Sequence, residues 1–141
     1  MNINNIANKT LDFTVKRIAE LTGILLVVLS ILLFISLVSY YPKDPNFIFS
    51  APTEKIRNTL GFSGSFVSDL FFQSIGLVSI LVSITIFFTG INLFRIKKFL
   101  LIIENLFYTV LYSILGSLFF STFYPDAFWL INNGNGGFIG K

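Results

Sequence analysis

The acidic residues are the side chains of this sequence best placed to do chemistry, because it contains no cysteine and no histidine. Those absences exclude disulfides, thiolate metal sites and the Ser-His-Asp and Cys-His types of catalysis. Glu104 is the carboxylate that lies within an apolar stretch. An acid inside a membrane can relay protons or pair with a cation. We expect Glu104 to reach the membrane interface or to pair with a basic residue of the turn over 95–98; the alternative is a small channel or transport subunit that uses it.

No other group of residues has the pattern of an active site. Asp69 has no second carboxylate near it in the sequence. The glycine-rich tail resembles a phosphate-binding loop only superficially, because Gly134 is one residue too far from Gly140 for the G-x-x-x-x-G-K-[ST] motif. Basic residues are scattered and form no stripe with interleaved aromatic residues. We therefore predict no enzyme, no cofactor, no metal site and no direct nucleic acid contact.

Composition places these residues in a membrane. The chain of 141 residues is 54% hydrophobic and 12% charged, with a mean hydropathy of +0.80. A soluble domain carries more charge than this. The sequence predicts an all-α membrane protein with three transmembrane helices, whose first partner is the lipid bilayer.

Uncharged or nearly uncharged stretches give the limits of the spans. The first contains 21 uncharged residues from Leu21 to Tyr41, about 32 Å of helix at ~1.5 Å per residue. Its end is marked by tyrosines suited to the membrane interface and by Pro42 and Pro45, which a helix does not accommodate. The predicted segments are an amino-terminal segment with a short surface helix over 1–20, transmembrane helix 1 over 21–41, an outer loop over 42–68 with a short amphipathic helix at about 53–60, transmembrane helix 2 over 69–94, a turn over 95–98, transmembrane helix 3 over 99–124, and an outer Gly/Asn-rich tail over 125–141.

Small residues recur at helical spacing within the spans. Such residues let helix backbones approach where lipid supplies no hydrophobic drive, although glycine and serine are also common in membrane helices for no specific reason. Gly23 and Ser30 are seven residues apart in the first span. The residues proposed to form packing faces in the second and third spans are Gly76, Ser79, Ser83, Gly90, Thr109, Ser113 and Ser117.

The distribution of charge predicts the orientation. The amino-terminal segment, the turn over 95–98 and the start of the third span carry six basic and three acidic residues, whereas the other side carries four of each. Short loops on the cytoplasmic side carry the excess of lysine and arginine. We expect a cytoplasmic amino terminus and an outer carboxyl terminus.

The order of several short motifs resembles the amino-terminal, four-span membrane domain of FtsK/SpoIIIE-type bacterial DNA translocases over about residues 20–141. Residues 39–45, Ser-Tyr-Tyr-Pro-Lys-Asp-Pro, are similar to the family's Ser-Tyr-Asp-Pro-x-Asp-Pro, and residues 136–140 are similar to its G-G-x-x-G. Residues 58–64 match its N-x-x-G-x-x-G. The outer-loop residues that carry the resemblance are Ser39, Tyr40, Pro42, Asp44, Pro45, Asn58, Gly61, Gly64 and Asp69.

The resemblance implies a membrane anchor and assembly module without motor activity. It would lie in the bacterial inner membrane at the division septum, act in cell division and chromosome partition, self-associate and contact division-site membrane proteins. Tyr41 and Ser83 depart from the family's usual aspartate and mid-span proline. The family's fourth span and motor are not in this sequence, so a truncated gene, a fragment and a free-standing product all remain open.

Overall fold

The computed structural model describes residues 3–45, 55–126, 130 and 134–141, with side chains from residue 8 onward. Over these residues the chain is helical and forms no strand. The helices are α1 (Ile3–Val38), α2 (Gly61–Ile75), α3 (Ser79–Ile96) and α4 (Leu100–Phe123), and a 3-10 turn, Gly76–Val78, joins α2 to α3. Asn8–Val38, Gly61–Ile96 and Leu100–Phe123 are long and apolar enough to cross a membrane. The predicted all-α membrane class with three spans is therefore confirmed.

Helix α1 continues through the predicted boundary between the surface helix and the first span. It is 36 residues long. Neither glycine nor proline interrupts it before Gly23, and the ion pairs Lys16–Asp12 at 2.9 Å and Arg17–Glu20 at 2.6 Å connect successive turns. Pairs at these spacings favour the helix. The amino-terminal segment is thus an extension of the first span and forms no separate element.

Helix α1 ends at Val38, three residues before the predicted limit at Tyr41. The backbone N–H of Ser39 still donates to Ile35 at 3.0 Å, after which the chain turns. Pro42 restricts the residue before it to extended backbone, so the helix stops as the sequence predicts, slightly earlier.

The predicted short helix at about 53–60 is wrong over the part that the structure describes. Residues 55–57 have no regular secondary structure and residues 58–60 form a bend and a turn, while 53 and 54 lie outside the described residues. The Asp44 carboxylate accepts the backbone N–H groups of Arg57 at 2.9 Å and Asn58 at 2.7 Å, which holds this segment in a turn. Gly61 begins α2 with φ +65°.

The second span, predicted as one helix over 69–94, is interrupted. Gly76 ends α2 with φ +60°, a left-handed backbone conformation that glycine adopts without a steric penalty. Three residues of 3-10 turn follow before α3 begins at Ser79. The span is therefore two helical pieces in sequence, with backbone carbonyls freed at the junction.

The spans pack as an antiparallel set in which α1 lies mainly against α3, and α4 lies against α3 and the 3-10 turn. We call the end that carries residues 39–45 and 55–64 the loop end, and the end that carries residues 97–99 the hairpin end. At the loop end Leu37, Tyr40, Phe72 and Leu130 form a buried cluster, with the rings of Tyr40 and Phe72 4.9 Å apart. This cluster fixes the first span against the second just below the loop.

Candidate functional site

The loop motif is organised by Asp44, which lies three residues after the end of the tyrosine pair and is 8% exposed. Its two carboxylate oxygens each accept one backbone N–H, from Arg57 and Asn58. Hydrogen bonds to a charged acceptor are among the stronger ones in proteins. A single side chain therefore joins the exit of the first span to the entrance of the second.

Asn58 occupies the centre of this network and is 4% exposed. Its Nδ2 donates to the carbonyl of Ser36 at 2.9 Å and lies 3.4 Å from Ser68 Oγ, while its Oδ1 accepts the N–H of Leu60 at 3.1 Å. A β-carbon on Gly64 would come within 2.2 Å of Asn58 Oδ1. Glycine at position 64 is what lets the amide enter between the helices.

Further motif residues strengthen the same contact between α1 and α2. The hydroxyl of Ser36 donates to the carbonyl of Gly64 at 2.6 Å, and that of Ser39 accepts the N–H of Thr59 at 3.2 Å. Ser65 Oγ donates to the carbonyl of Pro45 at 2.9 Å. These bonds cross from one span to the other, so the loop end is held together by polar contacts.

Asp69 is placed one level deeper, beside the buried cluster. It accepts hydrogen bonds from Tyr40 Oη at 3.1 Å and from Gln73 Nε2 at 2.6 Å. Above it the Arg57 guanidinium lies 4.2 Å from the centre of the Tyr41 ring, a cation–π contact. Tyr41, which departs from the family's usual acid, therefore still contacts the loop.

The structure brings most of the predicted outer-loop residues into one hydrogen-bonded network. Pro42 is exposed, and Gly61 takes part only through its backbone N–H, which donates to the carbonyl of Asn58 at 2.9 Å, while the space where a side chain would lie is open to 4 Å. Their contribution is to backbone direction. The members of the network are Ser39, Asp44, Pro45, Asn58, Gly61 and Gly64. Tyr40 and Asp69 bond to each other beside it.

The small residues Ser83 and Gly90 of α3 pack against the small residues Gly23 and Ser30 of α1. A β-carbon on Gly90 would lie 2.8 Å from the carbonyl oxygen of Gly23, and one on Gly23 would lie 2.8 Å from that of Gly90. Seven residues nearer the loop end on each helix lie Ser30 and Ser83, which are 2% and 1% exposed. Both hydroxyls donate to carbonyls of their own helices, which leaves the contact itself apolar.

Gly76, the third small residue at this spacing, contacts the carboxyl-terminal tail. A β-carbon there would lie 2.1 Å from the carbonyl oxygen of Asn135. Ser79 beside it is fully buried and donates to the carbonyl of Gly76. Gly76, Ser83 and Gly90, which are spaced seven residues apart, therefore take part in two different contacts.

The tail satisfies the backbone groups that the interruption of the second span sets free. Its Phe138 and Ile139 N–H groups donate to the carbonyls of Gln73 at 2.6 Å and Ser74 at 3.0 Å. In return the N–H of Leu77 donates to Asn135 at 2.9 Å. Unsatisfied backbone groups at membrane depth are costly, so this exchange explains how the span tolerates a break.

Ser117 of α4 completes this junction and is fully buried. Its hydroxyl donates to the carbonyl of Ile75 at 3.0 Å. β-Carbons on Gly136 and Gly140 would lie 2.4 and 2.5 Å from the carbonyl oxygen of Ser117. The first and last glycines of the G-G-x-x-G sequence in the tail therefore lie against the third span, where a side chain would not fit.

The rest of the predicted face on α4 is mixed. Ser113 is 7% exposed, while Thr109 is half-buried and donates to the carbonyl of Asn105 in its own helix. The polar contacts between α3 and α4 come from residues that the small-residue pattern missed. They are Asn105 Nδ2 to Thr89 Oγ1 at 2.9 Å and Tyr112 Oη with Thr85 Oγ1 at 2.8 Å. The spacing of Thr85 and Thr89, four residues apart, was the available signal.

Glu104 is exposed on α4, and among the described residues no cation lies within 4.0 Å of it. Its expected pairing with a basic residue of the turn over 95–98 is therefore not formed among the described residues. Lys97 instead pairs with Glu20, just before the uncharged part of α1, and Arg17 contacts the same carboxylate at 2.6 Å. The hairpin end is thereby tied to α1.

The described part of the chain brings together no group of three or more acidic residues that could hold a metal ion. Glu104 does not line either of the two cavities that lie between α1 and α3. What the described residues build is a set of contacts between helices, a loop and a tail.

Comparison with known proteins gives matches to a membrane region. A family model described as the 4TM region of DNA translocase FtsK/SpoIIIE matches residues 15–141. The DNA translocase FtsK of Rhizobium meliloti (strain 1021) is 29% identical over 128 residues, which are 91% of this chain and 14% of that protein. The chain therefore spans about one seventh of that relative's length. No solved structure matches it.

Proposed function

The chain belongs to the family of the 4TM region of FtsK/SpoIIIE DNA translocases, and from this membership we propose that it is a membrane anchor and assembly module of the division site. In this role it has no motor activity of its own. It lies in the bacterial inner membrane and acts in cell division and chromosome segregation. It self-associates and contacts other division-site membrane proteins through its helices and loop.

The observation that carries the proposal is the loop-end network. Asp44 and Asn58 use buried hydrogen bonds to hold the loop against α1 and α2, which orders the backbone before any partner arrives. Pre-ordered surfaces lose less conformational entropy on binding. The exposed residues carried on this ordered frame include Lys43, Lys55 and Thr59. We propose that these present the surface that contacts division-site proteins.

A localisation experiment tests this assignment. In a full-length translocase context with a fluorescent label, Lys43→Glu with Lys55→Glu should reduce septal localisation while membrane insertion is kept, because the changed residues are exposed. Lys98→Glu, an exposed charge reversal at the hairpin end, is the matched control and should leave localisation intact. Normal septal localisation of the Lys43/Lys55 variant would contradict the proposed loop surface.

The packing faces are proposed to support assembly. Replacing Gly76, Ser83 and Gly90 together by leucine should abolish assembly and septal localisation, because all three positions lie in contacts too close for a large side chain. Leu81→Ala, an exposed change on the same helix, is the control. Unchanged assembly of the triple variant would exclude a role for these faces.

The orientation is also proposed, with the amino terminus cytoplasmic and the loop end outside. It is supported by the excess of basic residues at the hairpin end. Because the sequence has no cysteine, single variants Lys43→Cys and Lys98→Cys can be labelled in intact spheroplasts with a membrane-impermeant maleimide. We expect labelling at position 43 alone. Labelling at position 98 alone would mean that the protein has the opposite orientation.

A further inference from the structure

Two apolar cavities follow the contact between α1 and α3. They arise because the small residues bring the two backbones together while large side chains stand on either side. The cavity nearer the loop end has a volume of about 250 Å³ and is lined by Ser30, Ile31, Phe34, Ser83, Ile84 and Phe87. The cavity nearer the hairpin end has a volume of about 240 Å³ and is lined by Gly23, Ile24, Val27, Val28, Ile91 and Phe94.

Helical spacing places both cavities on the same side of this contact. On α3, Ile84, Phe87, Ile91 and Phe94 are separated by three or four residues, so they share one face. We call the combined feature the seam groove. From Ile24 to Phe34 it follows α1 for ten residues, about 15 Å, which is half of the ~30 Å hydrocarbon core and thus one leaflet.

Helical spacing places a cation beyond the hairpin end of the seam groove. Arg95 follows Ile91 by four residues and so extends the same face of α3 by one turn. Its side chain is exposed, and within the described residues no carboxylate lies within 4.0 Å of it. On α1, Arg17 precedes Ile24 by seven residues, two turns along a similar face, and is paired with Glu20.

We propose that the seam groove binds an anionic phospholipid, with one acyl chain along the groove and the phosphate at Arg95. The apolar lining fits methylene groups, and the unpaired guanidinium fits a phosphate in bidentate geometry. An acyl chain is a single file of methylene groups, much narrower than a helix of about 10–12 Å diameter. The groove is therefore better matched to a lipid than to a helix of a second copy.

Native mass spectrometry of the detergent-solubilised chain tests the headgroup contact. Phosphatidylglycerol and phosphatidylcholine with identical acyl chains are added separately, and the bound lipid is counted from the mass. Wild type should retain phosphatidylglycerol preferentially, and Arg95→Gln should weaken its retention about fivefold, the effect of one basic residue at a membrane surface. Lys43→Gln removes the same charge at the loop end and should have no effect.

A second pair of variants tests the acyl chain. Ile84→Trp fills the groove and should reduce retention of both lipids, whereas Leu81→Trp, at an exposed position of α3 that lines neither cavity, should not. Circular dichroism establishes that each variant is helical. Equal retention of the two lipids by wild type, or unchanged retention in Arg95→Gln or Ile84→Trp, would overturn the proposal. So would a change of oligomeric mass in Ile84→Trp with lipid retention intact, which would assign the groove to a second copy.

Discussion

Gly23 of α1 and Gly90 of α3 lie so close together that neither position has room for a side chain. A β-carbon on either residue would lie 2.8 Å from the carbonyl oxygen of the other, so the closest approach of α1 and α3 is backbone against backbone. Small residues at this kind of crossing allow van der Waals contact along the helices and weak Cα–H···O bonds. At this crossing the first and second spans therefore meet through their backbones.

Gly90→Ala should destabilise the protein, although alanine favours a helix over glycine by about 1 kcal/mol. The added methyl group meets a carbonyl oxygen and backbone atoms of α1, and overpacking of this kind costs about 1–3 kcal/mol. The measurement is the midpoint of thermal unfolding in detergent. Gly116→Ala is the matched control, because its methyl group meets only the Val78 side chain, so its loss should be smaller. An increase in stability for Gly90→Ala would show that α1 and α3 are not in close contact.

Asn58→Ala should lower the free energy of unfolding by about 1–3 kcal/mol. The substitution leaves the buried carbonyl of Ser36 with only the long hydrogen bond from Ser39 Oγ at 3.5 Å, and a poorly satisfied buried group costs this much. Denaturation monitored by circular dichroism in detergent gives the difference. Asn92→Ala, at an exposed position of α3, should change stability little. Equal effects of the two variants would contradict the network centred on Asn58.

Asp44→Ala should release the loop from α2. It removes the acceptor of two backbone N–H groups, and hydrogen bonds to a charged group are worth about 1.5–3 kcal/mol. Limited proteolysis at Lys55 and Arg57 should therefore become faster. Asp126→Ala changes an exposed acid outside this network and serves as the control. Unaltered proteolysis of Asp44→Ala would mean that the turn over 58–60 persists without the carboxylate.

Gly136→Ala should displace the tail from the interruption in the second span. Its methyl group would lie 2.4 Å from the carbonyl oxygen of Ser117. The amides of Phe138 and Ile139, which donate to Gln73 and Ser74, should then exchange with deuterium about tenfold faster, the equivalent of ~1.4 kcal/mol.

The control for this experiment is Phe138→Ala, which keeps the amide and removes a side chain that is 82% exposed. Its exchange at Ile139 should match that of wild type. If Gly136→Ala exchanged at the wild-type rate, the tail would not depend on close contact with α4.

The number of apolar spans followed from chain chemistry that is local. Uncharged length, the prolines after Tyr41 and the basic turn after Phe94 limit the helices wherever they are placed, because a buried charge or a proline acts on its own segment. The errors occurred where a distant residue determines the backbone. The turn at 58–60 depends on Asp44, fourteen residues away from Asn58.

In the candidate site, too, some features follow from the local sequence and others depend on distant residues. The heptad of Gly76, Ser83 and Gly90 is visible in the sequence, but a stripe does not identify what it contacts. Ser83 and Gly90 lie against α1, whereas Gly76 lies against the tail. The cross-helix bonds of Thr85 and Thr89 were missed because threonine also bonds to its own helix, as both residues do here.

The sequence by itself therefore determined that this is a helical membrane protein with three apolar spans and which residues are small enough for close packing, because these properties depend on hydrophobic length and residue size. Only the tertiary structure decided that the second span is interrupted at Gly76. An interruption at membrane depth needs partners for its free carbonyls. Those partners, Ser117 and the N–H groups of Phe138 and Ile139, come from distant parts of the chain that meet only in the folded protein.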